Sequence, residues 1–183
     1  MDSTVTAAVI AVPTALFAAI AAYAGARAQA RSAHRGPVDA VRRQHQRDAY
    51  AGFLSALQAY EAATVWDTCY GQASHEASAS GFSPSNPGWS AFAHGRARDL
   101  LATASLDEVM RTGAVVDLEG PDPIAASAKI TVGMARQFQR QARLSSAPPA
   151  VQRDTLITAH DQFSLAMQGF VTAARAHLNS ADG

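Results

Sequence analysis

Beyond Val38 the apolar positions recur at alternating steps of three and four. Tyr50, Phe53, Leu57, Tyr60 and Thr64 make one such seam, widened by Leu54. This spacing predicts an amphipathic helix from Val38 to about Tyr70. The next stretch, "GQASHEASASGFSPSNPG" (Gly71 to Gly88), is small and polar with two prolines and reads as a flexible loop. From Trp89 the apolar positions Phe92, Leu100, Leu101, Leu106, Val109 and Met110 resume a helical pattern. Ser105 and Glu108 have capping-box spacing, so this segment is one helix or two broken at Ser105. "AVVDL" (Ala114 to Leu118) is locally strand-like, but nothing else in the chain would pair with it, so the helix is read as ending there. "EGPDP" (Glu119 to Pro123) is a tight turn, with Asp122 suited to an N-cap and Pro123 to the first helical position.

A third amphipathic helix follows, with Ile124, Ala128, Thr131, Ala135, Phe138 and Ala142 on one seam. "SSAPP" (Ser145 to Pro149) ends it. The last helix carries Leu156, His160, Phe163, Met167, Phe170, Ala174 and then His177 or Leu178. Short connections between the later segments imply antiparallel neighbours. The expected architecture is therefore all-α: an N-terminal transmembrane helix followed by an antiparallel up-and-down bundle of three to four helices, over residues 38–183. Its seams hold many of the chain's 42 alanines. They pack closely but bury little apolar area per layer, which favours a protein partner or self-association.

The first 26 residues break the amphipathic pattern. No charged side chain occurs between Ser3 and Ala26, long enough to cross a bilayer core of about 30 Å. Val5, Val9, Ile10, Val12, Leu16, Phe17 and Ile20 carry its hydrophobicity, and Pro13 is admissible in a membrane helix. Small residues at Ala11, Ala15, Ala18, Ala22 and Ala26 would let two such helices pack closely. A cleaved signal is the rival reading, because Ala22-Tyr23-Ala24 fits a small-x-small site and would leave a mature start at Gly25. Met1 to Thr4 lacks the basic residues such a signal wants.

Charge changes this picture by setting an orientation. From Arg27 to Arg47 there are six arginines against one acid, Asp39, while from Asp48 onward acids outnumber bases 13 to 9. Residues 27–47 thus form a basic juxtamembrane segment running into the first bundle helix. Positive flanks stay cytoplasmic, so the N-terminus is expected outside the cell membrane and the bundle in the cytoplasm, in a single-pass arrangement. Arg27, Arg31, Arg35, Arg42 and Arg43 are candidate contacts to anionic headgroups of the lipid bilayer. The band has no interleaved aromatics, so a nucleic-acid partner is not expected. The span, the basic stretch, "RDAYAGFLSALQAYEAAT" and "LEGPDPIAASA" together resemble uncharacterised single-span, membrane-anchored helical proteins of actinobacteria. That resemblance implies a membrane-anchored bundle and carries no activity or site residue.

Candidate chemistry is sparse. His75-Glu76 does not continue into the His-Glu-x-x-His of zinc proteases, and no Glu lies three residues before a His, as di-iron bundles need. His45 and Asp48, spaced i, i+3, would form a partial metal or buried polar site only if His160 converged on them. Cys69 stands alone, which excludes an intrachain disulfide, and reads as a small core filler. Trp66, Trp89, Tyr50 and Tyr60 read as core aromatics. No Gly-x-Ser-x-Gly elbow, phosphate loop or dinucleotide fingerprint occurs. No catalytic or cofactor-binding residue is expected. The sequence points to a non-enzymatic protein-interaction or scaffolding module, or else to an extracytoplasmic bundle with a sensory or ligand-binding role.

Overall fold

The computed structural model describes residues 40–144 and 148–180. The chain divides at Gln44 into two units, and of the first only residues 40–44 are described, as helix. The second unit, from His45, is all-α among the described residues. Its first helix, α1, runs to residue 63. Then come α2 (Trp66–Ala79), α3 (Pro87–Thr103), α4 (Asp107–Glu119), α5 (Asp122–Leu144) and α6 (Pro149–Ser180).

Four of these make an up-and-down bundle. The rings of Phe53 and Phe170 meet edge to face at 4.9 Å, and those of Tyr60 and Phe163 at 5.6 Å, which sets α1 antiparallel to α6. The Gln46 amide donates to the Glu119 carbonyl at 2.7 Å and Gly113 faces Phe53, so α1 also runs antiparallel to α4. Lys129 pairs with Asp117 at 2.8 Å between α5 and α4. Thr131 donates to the carbonyls of Ser127 and, across to α6, Ala166. All the seam positions expected on α1 and α5 are buried, and on α6 only His160, His177 and Leu178 are half-buried. Phe53, Phe138, Phe163 and Phe170 are fully buried, each worth about 1.5–3 kcal/mol of transfer free energy.

The α2–α3 hairpin is inserted between α1 and α4. It corrects two expectations. The first helix does not run on to Tyr70, and Gly71 to Gly88 is not one loop: it is helical to Ala79 and again from Pro87. The break falls where the backbone turns extended at Val65, φ −68°, ψ 123°. The Thr64 hydroxyl just before it donates back to the carbonyls of Tyr60 (2.7 Å) and Glu61 (3.2 Å). The far end of α2 closes as a Schellman turn. Phe82 N–H bonds the Ala77 carbonyl and Gly81 N–H that of Ser78, with Gly81 at φ +84°. Asn86 then caps α3 by accepting from Gly88 N–H at 2.8 Å.

Ser105 does mark a break, between α3 and α4, but its hydroxyl accepts from Asp107 N–H rather than Glu108 N–H. "AVVDL" lies inside α4. Asp122 is the first residue of α5 rather than its cap, still well placed to complement the helix dipole.

The single-pass placement needs correction. Among the described residues no helix is long and apolar enough to cross a membrane. The reason is facial: the long helices keep charge on their outer sides, Lys129, Arg136, Arg140 and Arg143 on α5, and Arg153, Asp154, Asp161 and Arg175 on α6. The span expected over residues 1–26 lies outside the described residues, as do Arg27, Arg31 and Arg35. Arg42 is exposed and Arg43 half-buried, both on the first described helix.

Glycines in these helices divide by what surrounds them. A Cβ at Gly113 would sit 3.0 Å from Val132 Cγ2 and 3.2 Å from Phe53 Cε2, a stiff β-branched group and a fully buried ring. A Cβ at Gly133 would meet nothing within 4 Å. Gly133→Ala is expected to gain about 0.5–1 kcal/mol in urea unfolding, because helix entropy is the only effect left. Gly113→Ala is expected to lose about 1 kcal/mol, overpacking exceeding that gain. Equal effects at the two sites would refute this packing of α1, α4 and α5.

Candidate functional site

The break at Thr64–Val65 leaves a gap that no side chain fills. The gap is a half-enclosed cleft of about 170 Å³. Thr64, Val65, Trp66 and Asp67 line it from the α1–α2 junction, Leu101 from α3, Phe138 from α5, and Leu156, Ile157, His160 and Asp161 from α6. Leu101, Phe138 and Leu156 are fully buried and make an apolar floor. Asp67 and Asp161 are exposed and stand at the rim.

Each wall has a local cause. α2 begins without a side-chain cap, because the residue before it is Val65. Its first turn carries Asp67, an acid favourably placed at a helix N-terminus. His160 lies on the α6 seam, its ring edge-on to Phe138 at 5.7 Å. Its Nε2 donates to the Glu61 carbonyl at 3.4 Å, in the last turn of α1. In the neutral ring this leaves Nδ1 as an acceptor. One turn on, Ser164 donates to the Glu61 carboxylate at 2.5 Å. These two bonds hold α6 against the end of α1 where the cleft opens. Behind it, Trp66 stacks on Tyr70 at 6.1 Å, and Tyr70 meets His94 at 4.9 Å and Trp89 at 6.3 Å. Cys69 is buried beneath, its thiol directed to the Ala63 carbonyl, and burial pushes its pKa up, away from the reactive thiolate.

The residues singled out for metal chemistry are not brought together. His45 lies near the start of α1, in a shallow groove with Asp48, Gly52, Arg111 and Glu119. His160 touches the other end of the same helix, about 24 Å away at ~1.5 Å per residue. Among the described residues no group of three His, Cys, Asp or Glu side chains could hold a metal ion. Sequence reasoning placed Thr64, Leu101, Phe138, Leu156 and His160 on seams and Trp66 in the core. It gave no role to Val65, Asp67, Ile157 or Asp161, which join the site only because the helix breaks at Thr64. The one available signal was the run Thr64-Val65-Trp66, three residues of modest helix propensity. No protein-family model matches the chain, and neither a curated protein nor a solved structure is detectably similar to it.

One turn before the cleft, Tyr60 is buried, and its hydroxyl has no hydrogen-bond partner among the described residues; the same holds for Tyr50. Burial raises the pKa of both above the ordinary 10.0, the nearby Arg143 pulling Tyr60 back only in part. Folded-state values above the unfolded ones mean the phenols' contribution is whole below about pH 10 and is lost as pH rises further. The urea midpoint should therefore fall above pH 10, and fall less in a Tyr50→Phe/Tyr60→Phe variant. At pH 7, where the orphaned hydroxyls only cost desolvation, that variant should be at least as stable as the parent. A variant with unchanged alkaline behaviour would show these phenols to be accessible.

Proposed function

We propose that this chain is a binding module whose recognition site is the cleft at the α1–α2 break, and that its ligand is a small molecule presenting a phenyl-sized apolar group. The observation that carries this reading is the cleft itself. It is an unfilled, apolar-floored space with its acidic groups at the rim, the usual build of a small-molecule site. Apolar cavities of about 150 Å³ take up benzene, so this volume suits one ring.

The expectation of a protein-interaction module finds separate support on α4. Leu118 is 85% exposed and Val115, one turn away, 38%. Self-association through this ledge would cover apolar surface that an alanine-rich core leaves outside. Sedimentation velocity is expected to show a concentration-dependent shift that Leu118→Glu removes; a monomer at all concentrations would eliminate this second reading.

The cleft is tested by titrating benzyl alcohol into the isotopically labelled full chain and following backbone amide shifts. Shifts are expected to concentrate at Thr64 to Asp67, Leu101 and Ile157 to Asp161. With so few ligand atoms, binding should be weak, with a dissociation constant of about 0.1–1 mM. Ile157→Trp, which fills the space from its half-exposed wall, should abolish the shifts. Diffuse shifts, or shifts unaffected by Ile157→Trp, would refute the cleft as the site.

A further inference from the structure

The cleft has an apolar floor and an acidic rim, and the rim specifies the ligand further. Asp67 comes from the first turn of α2 and Asp161 from α6, two segments far apart in sequence that both line the cleft. Neither carboxylate has an ion-pair partner among the described residues. No arginine or lysine is among the residues lining the cleft. Resting on the reading of the cleft as a small-molecule site, we propose that its ligand is a free aromatic amine, seated ring first, with its ammonium group between the carboxylates of Asp67 and Asp161.

Charge complementarity supports the ammonium. Two unpaired anions at the mouth favour a cation and disfavour a carboxylate of the same shape. The depth profile selects a free molecule over a lysine side chain. Lysine enters a pocket by its charged tip, which would leave the ammonium on Leu101, Phe138 and Leu156 with no partner, a costly placement. A free arylalkylamine enters by its ring and keeps its charge at the rim. The head group then lies beside Asp67, Asp161 and His160, which line the cleft together. The α2 N-terminus works the other way, since its uncapped N–H groups favour an anion. Asp67 already occupies that first turn and offsets its positive end.

The test compares three probes of one shape on the full chain: benzylammonium, benzyl alcohol and phenylacetate, each followed by amide shifts at the cleft. Benzylammonium is expected to bind roughly 3- to 20-fold more tightly than benzyl alcohol, from two partly exposed carboxylates. Phenylacetate should bind most weakly. The benzylammonium preference should shrink as salt is raised from 20 to 500 mM, on screening grounds alone. Asp67→Asn and Asp161→Asn should each cut benzylammonium affinity about 2- to 5-fold while leaving benzyl alcohol unchanged, a contrast that misfolding would not produce. Equal affinities, or phenylacetate tightest, would overturn the amine assignment and leave the cleft as an apolar site. Failure of all three probes to bind would overturn the cleft reading as well.

Discussion

A ladder of aromatic rings between α1 and α6 is the constraint on which the rest of the bundle depends. Phe53 meets Phe170 edge to face, Tyr60 meets Phe163, and Tyr50 meets Phe170 at 6.1 Å. Around them the core is largely alanine: Ala49 and Ala56 on α1, Ala128, Ala135 and Ala142 on α5, Ala159 and Ala174 on α6. Such a core concentrates its apolar area in a few rings. Helices faced with alanine approach closely, and the rings take the space left between them. Gly113 follows from the same geometry, because α4 passes so near Phe53 that no Cβ fits without displacement. Gly120 answers a different crowding, its missing Cβ lying 2.8 Å from the Val116 carbonyl and 3.3 Å from the Tyr50 hydroxyl.

The cleft follows from the unequal lengths of these helices. α4 has 13 residues against 23 in α5 and 32 in α6, so it covers only part of the bundle's side. The remainder is covered by the α2–α3 hairpin, tied to α5 by Gln139, which donates to the Ala104 carbonyl, and by Arg143, which donates to that of Ala102. Both bonds satisfy carbonyls at the end of α3 that would otherwise lack partners. Entry to the hairpin requires the chain to leave α1, and it leaves at Thr64. Where the hairpin turns away from the bundle, Leu101 approaches Phe138 and Leu156 without filling the space between them.

The elements that bury a continuous seam are the ones their residues announce. The α5 and α6 patterns, with steps of four and three through Phe138 and Phe170, correspond to buried faces nearly position for position. The hairpin was illegible for a physical reason. Apart from Trp66, Cys69 and Leu101 at its base, its inward positions are Ala73, Ala77, Ala93 and Ala97, side chains too small to stand out among 42 alanines, while Trp89 and Phe92 point partly outward. The serine-rich stretch after Gly71 read as loop because serine favours caps and turns. In α2, Ser74 and Ser78 instead donate back to the carbonyls four residues earlier and remain helical. The break at Thr64 carries neither glycine nor proline, so ordinary punctuation does not mark it. A site that exists only because of that break could not be read before it.

The cleft therefore sits between the best and the least anchored parts of the molecule. Most of its floor, Phe138 and Leu156, belongs to α5 and α6, with Leu101 of α3 completing it. Its opposite wall belongs to α2, which meets the bundle through little beyond Trp66 and Cys69 and starts without a cap. Elements with few buried large side chains open at lower free energy than the global fold. A molecule bound between Trp66 and Leu156 would bridge the two and add its binding free energy to the docking of the hairpin. The break at Thr64–Val65 thus accounts for both the cleft and the uncapped start of the helix that walls it.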